Sequence, residues 1–165
     1  MVRQQAKEAA AKAGAVAPGS DGAGEEKVEH VMLSYNWDHQ DVVKRINTAL
    51  KKRGYTVWID IEKMQGSTVE VMADAVEDAA VMCYGVSQAY KESLNCRLEA
   101  QYAFQQQTDM VPLMMVEGYR PNGWLGMILG VRLWYGFCGS VLERDDAFEA
   151  KVQELCRELG ERGRA

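Results

Sequence analysis

Five short apolar runs, each followed by a stretch with helical spacing, constrain this chain more than any other feature. The runs are 30–35 (HVMLSY), 55–60 (YTVWID), 80–87 (AVMCYGVS), 110–117 (MVPLMMVE) and 131–135 (VRLWY). Continuous apolar character, rather than strict alternation, marks strands buried on both faces, and such strands belong to parallel sheets. Between the runs, Val42, Val43, Ile46, Ala49 and Leu50 share one helical face, and Val69, Met72, Val76 and Ala79 share another. Leu94, Leu98 and Tyr102 mark a third helix, and Phe148, Val152, Leu155, Cys156 and Leu159 a last one. Asp38 is the expected cap of the first helix, and Gly54 its stop after Lys51-Lys52-Arg53. Ser67 and Glu70 have capping-box spacing, Ser93 opens the third helix, and Asp145 or Asp146 opens the last. Residues 123–129 read as a short helix at most, and Pro112 places the fourth run near a sheet edge. Strands alternating with helices predict an α/β fold, a parallel sheet covered on both faces.

The chain has 165 residues, about one domain's worth. Residues 1–27 are mostly Ala, Gly, Glu, Lys and Gln, too poor in large apolar side chains to offset ordering entropy, and read as a disordered N-terminal tail. The globular part is expected at 28–160, with 161–165 as a C-terminal tail. The net charge is −5 with no basic arm or stripe, which excludes the ordinary electrostatic footprint of a nucleic-acid binder. No apolar stretch approaches the ~18–20 residues that span a bilayer, so no membrane partner is expected. The start lacks the apolar core of a secretory signal, so a cytoplasmic location is expected. Cys83, Cys96, Cys138 and Cys156 form no CxxC pair, and His30 and His39 are the only histidines. That pattern predicts reduced thiols and no metal site. Cys96 sits at a helix start, but no His accompanies it, so it reads as packing rather than as an activated nucleophile.

Two familiar five-stranded α/β classes are disfavoured by what is missing. Neither GxGxxG nor GxxxxGK[ST] follows a strand, which argues against a nucleotide-cradling loop. A phospho-receiver would end its third strand in an acidic residue and place a Lys after its fifth. This chain has Val86-Ser87 and Tyr135-Gly136-Phe137 there.

Three other segments carry a positive signal: VMLSY at 31–35, GYTVWIDIEKMQG at 54–66 and SLNCRLEA at 93–100. In this order they resemble the three signatures of a Toll/interleukin-1 receptor (TIR) domain, and their wording is similar to the TIR_2-like group. The first resembles box 1. The second resembles box 2 with its BB loop, and the third resembles the Ser–x–x–Cys–x–x–Glu start of the helix after strand three. The resemblance covers about residues 30–160 and implies a flavodoxin-like fold, a five-stranded parallel sheet in the order 2-1-3-4-5. In such a sheet ligands bind beyond the carboxyl ends of the strands at the switch point, here between strands one and three.

By that resemblance Glu99 stands where TIR domains acting as NAD⁺ glycohydrolases carry their catalytic glutamate. Cleaving the nicotinamide–ribose bond builds positive charge on the ribose, which one fixed carboxylate stabilises. Ser34, Tyr35, Trp37, Asp60, Glu62, Ser93 and Asn95 are the residues the resemblance brings to the substrate. Ile61, Glu62, Lys63, Met64 and Gly66 form the loop that, in the family, gates the site and contacts a neighbouring protomer. The chain carries Asn95 where active members often have Trp, and Asn36-Trp37 where many have a basic residue. The expected activity is hydrolysis of NAD⁺ to nicotinamide and ADP-ribose or a cyclic ADP-ribose, in signal transduction. NAD⁺ would be substrate, with no retained cofactor, and TIR domains of the same or other proteins would be partners. The alternative is a non-catalytic adaptor module that signals by TIR–TIR association.

Overall fold

The computed structural model describes residues 29–60 and 69–165. Strands β1 (His30–Ser34), β2 (Val57–Ile59), β3 (Ala79–Val86), β4 (Asp109–Met114) and β5 (Tyr135–Gly136) form one sheet, ordered β2-β1-β3-β4-β5. Every neighbouring pair is parallel. The helices are α1 (Gln40–Lys52), α2 (Val69–Glu77), α3 (Gln88–Glu92), α4 (Leu94–Gln105), α5 (Gly123–Leu129), α6 (Ser140–Glu143) and α7 (Asp145–Leu159). The expected flavodoxin-like order 2-1-3-4-5 is the observed one.

Because successive strand side chains point to opposite faces, each apolar run feeds two cores. Val31, Leu33, Val81, Cys83, Val111 and Leu113 pack with Val43, Ile46 and Leu50 of α1 and with Phe148, Val152, Leu155 and Leu159 of α7. On the other face Met32, Met82, Tyr84, Val86, Met110 and Met114 meet Ala75 and Val76 of α2, Tyr90 of α3, Cys96, Ala100 and Ala103 of α4, and Leu125 of α5. All eight residues of β3 are buried, as the central strand of a doubly covered sheet requires.

Several expectations need correction. Asp38 does not cap α1. Asn36 caps a 3₁₀ turn at Trp37–His39, accepting from the Asp38 N–H at 3.0 Å, and α1 starts after it. Neither Asp145 nor Asp146 caps α7. Both lie inside its first turn, where their charges suit the dipole, and Arg144 holds the cap position. Ala79 belongs to β3 and Val69 is exposed, so α2 buries Met72, Ala75 and Val76 instead. Ser87 ends no strand but caps α3, a helix absent from the sequence reading. The run 131–134 is outside the sheet. Val131, Leu133 and Trp134 are exposed and only Tyr135 and Gly136 pair.

Pro112 lies within β4, beside the short edge strand. The N–H of Met115 donates to Val86 and the N–H of Phe137 to Met114, so alternate residues of β4 turn to β3 and to β5. Pro112 turns toward β5, which begins pairing only opposite Leu113, and its missing N–H costs no ladder bond. Residues 161–165, expected as a tail, are tied to the domain. Arg164 bridges Tyr55, the Thr56 N–H donates to Gly163 and the Ala165 N–H to Gly54. The tail 1–27 and the Ser67–Glu70 capping box lie outside the described residues or depend on them. Among the described residues no helix is long and apolar enough to cross a membrane.

Candidate active site

The order of the strands brings β1 between β2 and β3, and the segments leaving their carboxyl ends surround a cavity of about 260 Å³. Its walls are Tyr35, Asn36 and Trp37 after β1, Trp58 and Asp60 of and after β2, Met72 of α2, and Ser93, Asn95, Cys96 and Glu99 at the start of α4. This is where an open parallel sheet places its ligands.

Two serine caps, six residues apart, deliver Glu99 to this cavity. Ser87 Oγ accepts from the Tyr90 N–H at 3.0 Å and opens α3, and Ser93 Oγ accepts from the Cys96 N–H at 3.3 Å and opens α4. The chain turns at Ser93, whose backbone is extended, so α4 leaves in a new direction. Helix α4 then buries Cys96, Ala100 and Ala103, small residues that let it approach the sheet closely. Leu94 and Leu98, expected on the buried face with Tyr102, are instead exposed, and Tyr102 is half-buried with its hydroxyl 2.5 Å from Glu77. The helix is therefore rotated relative to the leucine-based expectation. Glu99, three residues after Cys96, lies at the border of the buried stripe rather than on a solvated flank.

Glu99 is held from below. The Ser34 hydroxyl, buried at the end of β1, donates to Glu99 Oε2 at 2.6 Å and lies 2.8 Å from the hydroxyl of Tyr90. Burial pushes the Glu99 carboxyl up to about 7; the Ser34 bond opposes this rise and the charge of Asp60 adds to it. Near neutral pH the group is thus divided between its two protonation states. The Tyr35 hydroxyl donates to the Asp60 carbonyl at 2.6 Å and joins the exits of β1 and β2. Burial foremost raises the Tyr35 phenol, so it remains a hydrogen-bond donor. Burial also raises the Cys96 thiol to about 12, which agrees with a packing role and not with a thiolate nucleophile.

Of the residues expected at the site, Tyr35, Trp37, Asp60, Ser93, Asn95 and Glu99 line one cavity. Ser34 is placed behind it, bonded to Glu99 and away from the cavity wall. Ile61, Glu62, Lys63, Met64 and Gly66 lie outside the described residues. Sequence reasoning missed Trp58, Met72 and Tyr90. Trp58 alternates inward along YTVWID, a signal present in the strand pattern, and its ring stacks on His30 at 6.5 Å. Tyr90 stands three residues after the Ser87 cap.

The chemistry available is that of two carboxylates, Glu99 and Asp60, beside the aromatic side chains of Tyr35, Trp37 and Trp58. Such a set stabilises positive charge through the carboxylates and the ring faces. Among the described residues no group of three or more His, Cys, Asp or Glu is placed to hold a metal ion.

A family model described as TIR domain matches residues 31–156. No curated protein sequence matches the chain. Among solved structures, the TIR domain of the Toll-related receptor TRR-2 from Hydra magnipapillata is similar with a TM-score of 0.59 at 14% identity, covering 78% of this chain and 96% of that one. The TIR domains of the activated Roq1 resistosome, which directly recognises the pathogen effector XopQ, give 0.61 at 14% identity over 79% and 99%. The CMP N-glycosidase BcmB of Clostridium botulinum gives 0.55 at 13% identity over 77% and 99%. At these identities the likeness is one of fold.

Proposed function

The chain belongs to the TIR domain family, and on that premise we propose that it is an NAD⁺ nucleosidase acting in signal transduction. The products would be nicotinamide and ADP-ribose, or a cyclised ADP-ribose. The observation that carries the reading is the placement of Glu99. Its carboxylate borders a polar cavity at the switch point of the sheet, fixed by the 2.6 Å bond from Ser34. When the bond to nicotinamide stretches, the ribose gains oxocarbenium character, and a carboxylate already held in place stabilises it without reorganisation. The nicotinamide leaves as a neutral ring, so a second carboxylic acid is not needed to protonate it. Trp37, Trp58 and Tyr35 offer aromatic faces to the base and the developing cation. Asn95 and Ser93 supply neutral polar atoms for ribose hydroxyls. That one of the neighbours is named a CMP N-glycosidase supports the compatibility of this fold with breaking an N-glycosidic bond.

A second reading, a TIR module that signals by association alone, is favoured by Met127, Val131, Leu133 and Trp134, large apolar side chains exposed within eight residues. Chromatographic assay of nicotinamide released from NAD⁺ separates the two. Release by the folded wild-type protein and its loss in Glu99→Ala support the nucleosidase. No release at any protein concentration, from protein that melts cooperatively, overturns it in favour of the association module.

A further inference from the structure

The Tyr90 ring is fully buried on α3, packed against Tyr84 and Trp124 at centroid distances of 6.2 Å each. Its hydroxyl has one polar partner among the described residues, Ser34 Oγ at 2.8 Å. Ser34 in turn touches Glu99 Oε2 at 2.6 Å. A serine hydroxyl carries a single proton. When Glu99 is ionised that proton points to the carboxylate, so the Tyr90 hydroxyl must be the donor to Ser34. We propose that Tyr90 is a positioning residue for the Glu99 carboxylate, acting through a one-way hydrogen-bond chain from Tyr90 to Ser34 to Glu99.

The polarity of the chain follows from what each end can do. Burial holds the Tyr90 phenol well above its ordinary range, so it keeps its proton and cannot serve as a charged acceptor. Donation from Tyr90 occupies the Ser34 oxygen and polarises the Ser34 O–H toward Glu99, strengthening the second bond. A protonated Glu99 offers Ser34 only a neutral carbonyl oxygen, and the bond to it is weaker than the bond to the carboxylate. The chain therefore favours the ionised carboxylate and opposes its burial. Among the described residues, the polar and titratable groups around Glu99 are Ser34 at the end of β1, Tyr35 and Asn36 after it, Asp60 after β2, Tyr90 from α3, and Ser93, Asn95 and Cys96 at the start of α4. Among the described residues, Asp60 is the one whose charge raises Glu99. Met72 of α2, also at the cavity, brings no charge.

The inference concerns the environment of Glu99, and only its rate readout rests on the nucleosidase reading. The test is a titration of the Glu99 carboxyl by carbon NMR in the full chain, for wild type, Tyr90→Phe, Ser34→Ala and the double variant. Tyr90→Phe keeps the buried ring and removes only the donor. Expected is an upward move of the Glu99 titration in Tyr90→Phe, a larger one in Ser34→Ala, and no added effect of Tyr90→Phe once Ser34 is Ala. A packing disturbance would move Glu99 equally in both backgrounds, and that outcome overturns the chain, as does a wild-type titration in Tyr90→Phe. If Tyr90→Phe does not fold, a slowly exchanging hydroxyl proton on Tyr90 of the wild type, with a cross-peak to Ser34, is the expected sign; a rapidly exchanging one overturns the proposal. In NAD⁺ cleavage, Tyr90→Phe should lower kcat at pH 7 by about three- to tenfold and shift the acid limb upward, with KM little changed. Absence of cleavage in wild type leaves the NMR arm intact and counts against the nucleosidase alone.

Discussion

Ser34 and Glu99, 65 residues apart in the chain, meet at 2.6 Å because β1 lies beside β3 and helix α4, the second helix after β3, packs against β1. That bond does not compensate fully for burying a carboxyl group, and the Glu99 carboxyl rises from an ordinary 4.5 to about 7. Between those two values the folded chain binds more protons than the unfolded chain, so stability falls as pH rises. The penalty is absent below about pH 4.5 and complete above about pH 7, and amounts to roughly 3 kcal/mol. Glu99→Gln removes the titration. Urea unfolding at pH 5 and pH 8 should show the variant gaining on wild type as pH rises. An equal difference at both values would mean that Glu99 titrates normally.

The same group shapes the rate, with the opposite sense. The proposed nucleosidase reaction would need the ionised carboxylate, so kcat should rise with pH through an acid limb near 7 and level off above it. Glu99→Gln should lower kcat on the order of 100-fold or more, in line with the loss of a preorganised charge-stabilising group. Its residual activity should lack that limb. Retention of the limb in Glu99→Gln would assign it to another residue.

The strands were legible because continuous apolar runs have few other uses in a chain of this size, and HVMLSY, AVMCYGVS and MVPLMMVE each overlap a strand. The run VRLWY misled, since exposed Val131, Leu133 and Trp134 carry the composition of a strand without its pairing. Glu99 was legible through its motif, but its surroundings were not. Leucine spacing put Leu94 and Leu98 inward, whereas close packing against the sheet selected Ala100 and Ala103. Tyr90 was invisible because α3 reads QAYKE, a polar segment whose single ring points inward only after Ser87 and Ser93 fix both ends. Its bond to Ser34 joins residues 56 apart and depends on the crossover as a whole.

The C-terminal residues make a stability prediction. Gly163 has φ +78°, and a Cβ placed there would lie 2.7 Å from Val31 Cγ2 and 2.8 Å from the Val31 N. Gly163→Ala therefore meets backbone strain and a clash with β1 together. Loss of about 1–3 kcal/mol is expected. Deleting 161–165 should destabilise as well, because it removes the bonds of Gly163 to Thr56 and of Ala165 to Gly54. Unchanged melting in both variants would mean that these contacts contribute nothing.

Assembly is the last expectation. Met127, Val131, Leu133 and Trp134 expose between 55% and 103% of their surface, which is costly in water for side chains of this size. Leu133 and Trp134 do not line the cavity holding Glu99, so charged replacements there should leave the site itself intact. If copies of the chain associate through this segment and the associated form is the active one, specific activity rises with protein concentration by mass action. Leu133→Glu with Trp134→Glu should then flatten that rise and lower the sedimentation coefficient at high concentration, while thermal melting moves little. A wild-type dilution series over two decades with constant specific activity would show instead that each copy carries a complete site. Preserved self-association in the double variant would place the contact elsewhere on the surface.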